Sequence, residues 1–281
     1  MATNSKPLSI STDSTADLDS YEKCDLKVVP TIIIVGDETF QDGVDITPAD
    51  IFNSVEQNKI MPKTAAASEE DYAKVFARAN GQPHLHIALS SMFSASCENA
   101  MRAAAKFPNV TLINSGHMSN GLGILCLIAR ELADKGKTPA EIVEVLKTLI
   151  PKVHSSFVVE SLTYLYRGGR CSGLKMAIAQ LLNLHPMIYV EPNGRMLPGR
   201  TFKGKFAEVV KNYTKFILQQ NPNPNKDLAL ISYTTIDPVI LKQVEDDLRA
   251  AGFKHLNISV LGGCISAHCG RNTIGIAFCN L

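Results

Sequence analysis

The 281-residue sequence has no tryptophan, and aromatic residues make up only 6% of it. Its 7 cysteines are an odd, scattered set with no Cys-x-x-Cys pair among them. A disulfide framework is therefore not expected, and buried thiols in a reducing, cytoplasmic setting are. Charge of one sign is also missing: 28 Lys and Arg stand against 27 Asp and Glu, a net of +1. That balance gives no electrostatic case for nucleic acid or an anionic membrane. No apolar stretch approaches the roughly 20 residues a membrane-spanning helix needs. Residues 1–7 are polar and lack an apolar signal region, so secretion is not expected. Repeats, low-complexity tracts and long charge runs are absent. With 45% hydrophobic residues, the chain is not of the disordered class.

What is present suits two cores rather than one. The first half alternates β-branched runs with amphipathic ones. Strands are predicted over 8–12, 28–35, 84–89 and 110–113, and helices over 48–58, 69–79, 95–106, 121–135 and 139–150. Thr47 before Pro48, and Thr138 with Glu141, are helix-start signals. This alternation predicts an α/β/α layer around a parallel sheet. From about residue 153 the pattern changes. Strands at 187–191 and 195–202 flank Pro192-Asn193-Gly194, a hairpin signal. Further strands and helices follow, which predicts a mixed sheet. The expected division is 1–154 and 155–281.

Ligands of open α/β sheets bind beyond the carboxyl ends of strands, so the loops there are the places to search. Ser90 to Ser96 holds four hydroxyls between a strand end and a helix start. It is either an anion site of hydroxyls and unpaired N–H groups or plain capping by Ser94 or Ser96. Met92 and Phe93 suggest an apolar wall beside it. In Thr64-Ala65-Ala66-Ala67-Ser68, Ser68 suffices as a cap, which leaves Thr64 for another task. Asp13-Ser14-Thr15 reads as a structural start with a capping-box-like Ser14 and Asp17. Arg167-Gly168-Gly169-Arg170 sets an arginine after glycines, either a carboxylate fork or a solvated turn. Residues 199–206 nearly spell a phosphate-binding P-loop, but Phe206 stands where Ser or Thr must ligate magnesium. A basic stripe of Arg195, Arg200, Lys203, Lys205 and Lys211 is the simpler reading. Cys264, His268, Cys269 and Cys279 match no standard zinc spacing. His268 reads as lying in a flexible loop between Gly263 and Gly270, as an acid/base group, a carboxylate partner or a chance exposure.

Together these pieces resemble the DegV family of bacterial fatty-acid-binding proteins. The resemblance runs in order through Asp13 to Leu18, Val29-Pro30, Thr64 to Ser68, Ser90 to Ser96, Asn114-Ser115 with Gly121 and Gly123, Leu162 to Ser172, and Gly262 to Gly275. The chain departs from the family at Ala65-Ala66-Ala67, at Ala95-Ser96, and at Arg271-Asn272, where a Pro-Gly is usual. The resemblance implies a two-domain fold whose second part is a two-layer α/β unit with a mixed sheet. It also implies one long-chain fatty acid bound between the parts. Thr64 and Ser94 would hold the carboxylate, with Ala95, Ser96, Arg170 and His268 around it. The tail would occupy an apolar tunnel of the first part, for which Ile32, Phe93, Met118 and Leu122 are the guessed contributors. Some members serve as the binding subunit of a fatty acid kinase. Arg170, Arg200, Lys203 and His268 would then face that partner, on a chain that is monomeric, needs no cofactor or metal and is not itself an enzyme. Two rivals remain. One is a serine hydrolase using Ser94 and His268, although no Gly-x-Ser-x-Gly elbow surrounds Ser94. The other is a binder of a different apolar carboxylic acid.

Overall fold

The structure is a computed structural model that describes residues 8–18, 20–169, 184–191 and 193–281. Four strands form a parallel sheet: β1 (Ser9–Asp13), β2 (Leu26–Val29), β6 (His84–Ala88) and β7 (Val110–Asn114), in the order β2-β1-β6-β7. Side chains alternate faces along these strands. Leu85 and Ile87 face one core. His84 and His86 face the other way, their rings against Phe76 and Tyr72. That second face is covered by α2 (Glu69–Ala77) and α3 (Ser96–Ala104), whose small Ala100 and Ala103 let them approach. The first face is covered by α4 (Ser119–Asp134) and α5 (Pro139–Leu149).

The mixed sheet contains β8 (Val153–Val159), β9 (Leu184–Val190), β10 (Met196–Lys203), β11 (Pro224–Tyr233), β12 (His255–Val260) and β13 (Thr273–Asn280). Their order is β10-β9-β8-β13-β11-β12, and only β11 and β12 run parallel. On one face lie α7 (Phe206–Gln220) and α8 (Pro238–Ala250), packed through Val209, Tyr213, Ile217, Val244 and Leu248. The other face receives α4. This helix is thus shared by both sheets, and the largest core runs without interruption from Ile10 and Leu85 through Leu122 to Ile188 and Leu230. Close packing requires glycine within α4: a Cβ on Gly123 would stand 2.6 Å from the Ala16 carbonyl oxygen. Among the described residues no helix is long and apolar enough to cross a membrane.

The two-part α/β class agrees with the sequence expectation, and so does the hairpin of β9 and β10. Capping boxes form at Thr47 with Asp50, at Ser68 with Asp71 and at Thr138 with Glu141. Four details differ. The expected continuous strand 28–35 is broken: Pro30 has no N–H to give a ladder, and the Thr31 N–H donates to Ser14 Oγ at 3.1 Å. Past the break, β3 (Ile32–Val35) pairs with β4 (Glu38–Gln41) and β5 (Lys63–Ala65) in a separate antiparallel sheet. Ser14 and Asp17 form no capping box, because Ser14 Oγ donates instead to Asp42. The stretch read as a loop around His268 is a helix, α9 (Gly263–Cys269). Finally, α4 starts earlier than expected, without a side-chain cap and with Ser119 at φ 49°. Before the undescribed 170–183 lies α6 (Thr163–Gly168), and after β4 lies α1 (Pro48–Asn58).

Candidate functional site

A cavity with about 580 Å³ of atom-free space, part of it open to solvent, lies between the carboxyl ends of the parallel strands and α9. Its polar groups are Thr15, Thr31, Thr64, Ser94 and His268, and its apolar ones include Leu89, Phe93, Met118, Leu165, Met196 and Ile265. Among the described lining residues there is no carboxylate, lysine or arginine.

Each polar group is placed by backbone structure. Thr64 sits in β5, paired opposite Ile33 of β3. His268 projects from α9, and its Nε2 stands 2.8 Å from Thr64 Oγ1. The imidazole lies against the backbone of α6, where a Cβ on Gly168 would be 2.3 Å from Nδ1. Ser94 precedes α3. Its Oγ accepts from the Ser96 N–H at 3.2 Å and pairs with Ser96 Oγ at 2.9 Å. The cap position of α3 is Ala95, without a side-chain cap, while Ser94 takes up the Ser96 N–H from the residue before it and lines the cavity at once.

The loop carrying Ser94 is anchored by a buried carboxylate. Asp13 ends β1; its Oδ2 accepts from the Leu89 N–H at 2.6 Å and its Oδ1 accepts from the Tyr72 hydroxyl. Burial pushes the Asp13 carboxyl up to about 6, against the pull of those two donors. Behind it, Ser11 Oγ joins His84 Nε2 at 2.7 Å and His86 Nδ1 at 2.8 Å. Burial depresses the two imidazoles to about 4 and about 3. Two more buried carboxylates hold α9. Asp17 Oδ1 accepts from the Gly262 N–H at 2.8 Å, and Asp42 Oδ1 accepts from the Gly263 N–H at 2.7 Å. Burial raises both, Asp17 to about 7.

The structure brings Thr64, Ser94, His268, Phe93 and Met118 to one cavity. Ala95 is exposed and Ser96 buried, and neither lines it. Ile32 and Leu122 do not line it either; Leu122 packs in the main core. Arg170 lies outside the described residues. Arg200 and Lys203 are elsewhere, on β10, beside a groove shared with Lys215, and the Arg200 guanidinium stacks over Phe202 and Phe216. The near P-loop is strand β10 followed by α7, not a phosphate loop. Sequence reasoning missed Thr31, Leu165, Met196, Cys264, Ile265 and Cys269. The signal for the last three was helical spacing with His268 along α9, hidden by flanking glycines. A second cavity of about 330 Å³ shares Met118, Ile265 and Cys269 with the first and runs between α4 and the mixed sheet, along Phe157, Val190 and Leu261. Among the described residues, no cluster of three or more His, Cys, Asp or Glu stands where it could hold a metal ion.

Compared with known proteins, residues 7–281 match the family model described as "Uncharacterised protein, DegV family". The chain belongs to the DegV family. Among its curated DegV relatives, a DegV domain-containing protein of Deinococcus radiodurans is 26% identical over 278 residues, covering 96% of this chain and 97% of the relative. One from Caldanaerobacter subterraneus is 29% identical over 281 residues, covering 96% and 98%. Among solved structures, a Thermus thermophilus DegV family protein, described by its fatty acid binding, superposes with TM-score 0.89 at 26% identity, covering 98% of this chain and all (100%) of that one. A Eubacterium eligens DegV family protein loaded with heptadecanoic acid shares the fold at TM-score 0.86 and 18% identity, covering 98% and 100%. The DegV assignment and the two-part α/β fold thus agree with the expectation drawn from the sequence.

Proposed function

We propose that this DegV protein binds one long-chain fatty acid, with the carboxylate at Thr64 and Ser94 and the tail in the connected apolar space. The observation that carries the reading is the cavity itself. It sets the hydroxyls of Thr64 and Ser94 and the His268 imidazole in one cavity, which shares Met118, Ile265 and Cys269 with a second, largely apolar one. The Thermus relative's fatty acid binding supports it. A long acyl chain offers on the order of 14 methylenes at about 0.8 kcal/mol each, roughly 11 kcal/mol gross. Immobilisation and ordering remove a large part of that. Neutral donors then orient the head without a full salt bridge. The sequence pointed to a tunnel in the first part of the chain. The connected cavities favour a tail that leaves the head site past Met118 and Ile265 and runs between α4 and the mixed sheet. In this reading the chain divides near 154/155, and the second part closes over the head group, with Arg170 contributing there.

The protein is read as a carrier rather than an enzyme. Ser94 Oγ is engaged with Ser96, and His268 Nε2 meets Thr64, which disfavours a Ser94–His268 hydrolase. A neutral head site suits a carboxylate that is to be phosphorylated, so a partner fatty acid kinase is part of the proposal. Arg200 and Lys203, with Arg170 and His268, are its proposed contacts, and the carrier is monomeric and cytoplasmic. The decisive experiment is mass spectrometry of organic extracts from the purified protein, with native mass spectrometry for stoichiometry. One bound fatty acid per chain is expected. A protein that carries no lipid and takes up none when offered would overturn the reading.

A further inference from the structure

His268 can pair with Thr64 only if α9 is held at a fixed place against the β3–β5 ribbon. Two buried carboxylates do the holding. Asp17, 2% exposed, ends the turn after β1, and Asp42, 3% exposed, follows β4. They receive the N–H groups of Gly262 and Gly263 at 2.8 and 2.7 Å. The approach depends on bare backbone: a Cβ on Gly263 would stand 2.7 Å from Ile33 Cδ1 and 3.1 Å from Asp42 Oδ1.

Asp42 also reaches the other side of the site. Its Oδ2 accepts from Ser14 Oγ at 2.8 Å and from Thr31 Oγ1 at 3.3 Å. Thr31 lines the cavity and leads directly into β3, which pairs with β5 at Ile33 and Thr64. Both partners of the Thr64–His268 contact therefore hang from one carboxylate. One arm runs through Gly263 and α9 to His268. The other runs through Thr31, β3 and β5 to Thr64. A carboxylate accepts on both oxygens, so one side chain can tie both arms.

We infer that Asp42, with Asp17 beside it, is a positioning residue of the head-group site, fixing His268 relative to Thr64 and so setting the preference for a carboxylate. This deepens the fatty-acid reading above and rests on it. In Asp42→Ala both arms lose their common acceptor. In Asp42→Asn the amide oxygen can keep the Gly263 arm, and the NH2 keeps the other only if the Ser14 and Thr31 hydroxyls turn from donors to acceptors, which weakens it.

The test measures affinity for palmitic acid and for hexadecanol, which share a chain and differ at the head. Wild type is expected to prefer the acid. Asp42→Ala should lower the acid-to-alcohol ratio about tenfold, with Asp42→Asn between the two. Val244→Ala, on the buried face of α8, serves as a variant that loses stability away from the site and should keep the wild-type ratio. Should Asp42→Ala fail to fold, Asp42→Asn alone decides. A lowered melting temperature with an unchanged ratio would make Asp42 structural only and overturn the inference while leaving the fatty-acid reading intact. A wild type that binds neither compound, or both equally, would overturn the head-site reading and the inference with it.

Discussion

Thr64 and His268, 204 residues apart in the chain, meet through Oγ1 and Nε2 at 2.8 Å. One comes from a three-residue strand and the other from a seven-residue helix. The strand is too short to fix its own position, whereas the helix is buried along most of its length. Their meeting is set by what they pack on: the β3–β5 pairing on one side, Asp17 and Asp42 on the other.

If Thr64 and Ser94 hold a carboxylate, the double variant Thr64→Ala/Ser94→Ala loses two hydrogen bonds to a charged group. Affinity for palmitate should fall by about a hundredfold or more, measured by titration calorimetry. An affinity equal to wild type would remove both residues from the head site.

Gly168→Ala tests the imidazole's seat. The new methyl would overlap His268 Nδ1, 2.3 Å away, and the ring must swing from Thr64. Fatty acid affinity should drop about tenfold. The melting temperature should change little, since alanine is the better helix former by roughly 1 kcal/mol. Affinity and melting temperature both equal to wild type would contradict the close packing of α6 on α9.

Tyr72→Phe removes the hydroxyl that donates to Asp13, leaving a fully buried carboxylate with one donor fewer. The expected cost is about 1–3 kcal/mol in urea unfolding. The same substitution should push the Asp13 carboxyl further above its ordinary value. Stability within a few tenths of wild type would mean the hydroxyl is not a needed donor.

Asp17→Asn probes the other anchor through pH. Burial holds the Asp17 carboxyl up to about 7, against about 3.9 in an unfolded chain. Between these values the folded protein keeps a proton that the unfolded chain has lost, so this group's contribution to stability falls as pH rises. The stability difference, wild type minus variant, should decline across roughly pH 4 to 7, by up to about 1.4 kcal/mol per pH unit. His84, His86 and His154 are depressed by burial to about 4, 3 and 4 and act in the opposite sense. They are present in both proteins and cancel in the difference. A flat difference would show Asp17 ionised throughout.

Period and caps made much of the fold readable. Thr47, Ser68 and Thr138 announce their helices through local hydrogen bonds, which sequence spacing reports directly. The strand break at Pro30 was not read, because the partner that claims the Thr31 N–H is Ser14, 17 residues back. Likewise the sequence of α9 suggests a loop: its glycines suit a loop as well as a helix start, and the carboxylates that hold its N-terminus are more than 200 residues away in sequence. Thr64 stood out because Ser68 already explained the cap. Met196 carried no such signal, since its place on the cavity wall depends on where the hairpin lands.

The position of β13 has a consequence for the order of events on the ribosome. It follows every other described strand in chain order, yet it lies between β8 and β11. From the synthesis of Val153 to that of Asn280, roughly 6 to 25 s pass at ordinary translation rates. Until β13 arrives, β8, and β11 once it is made, each keep an open edge, the kind of surface that pairs with the wrong strand. The face of the mixed sheet that borders the second cavity cannot be finished until β13 slides into its centre. A nascent chain should therefore gain the ability to capture a fatty acid only once β13 has been made, and a holdase that shields strand edges should raise its yield.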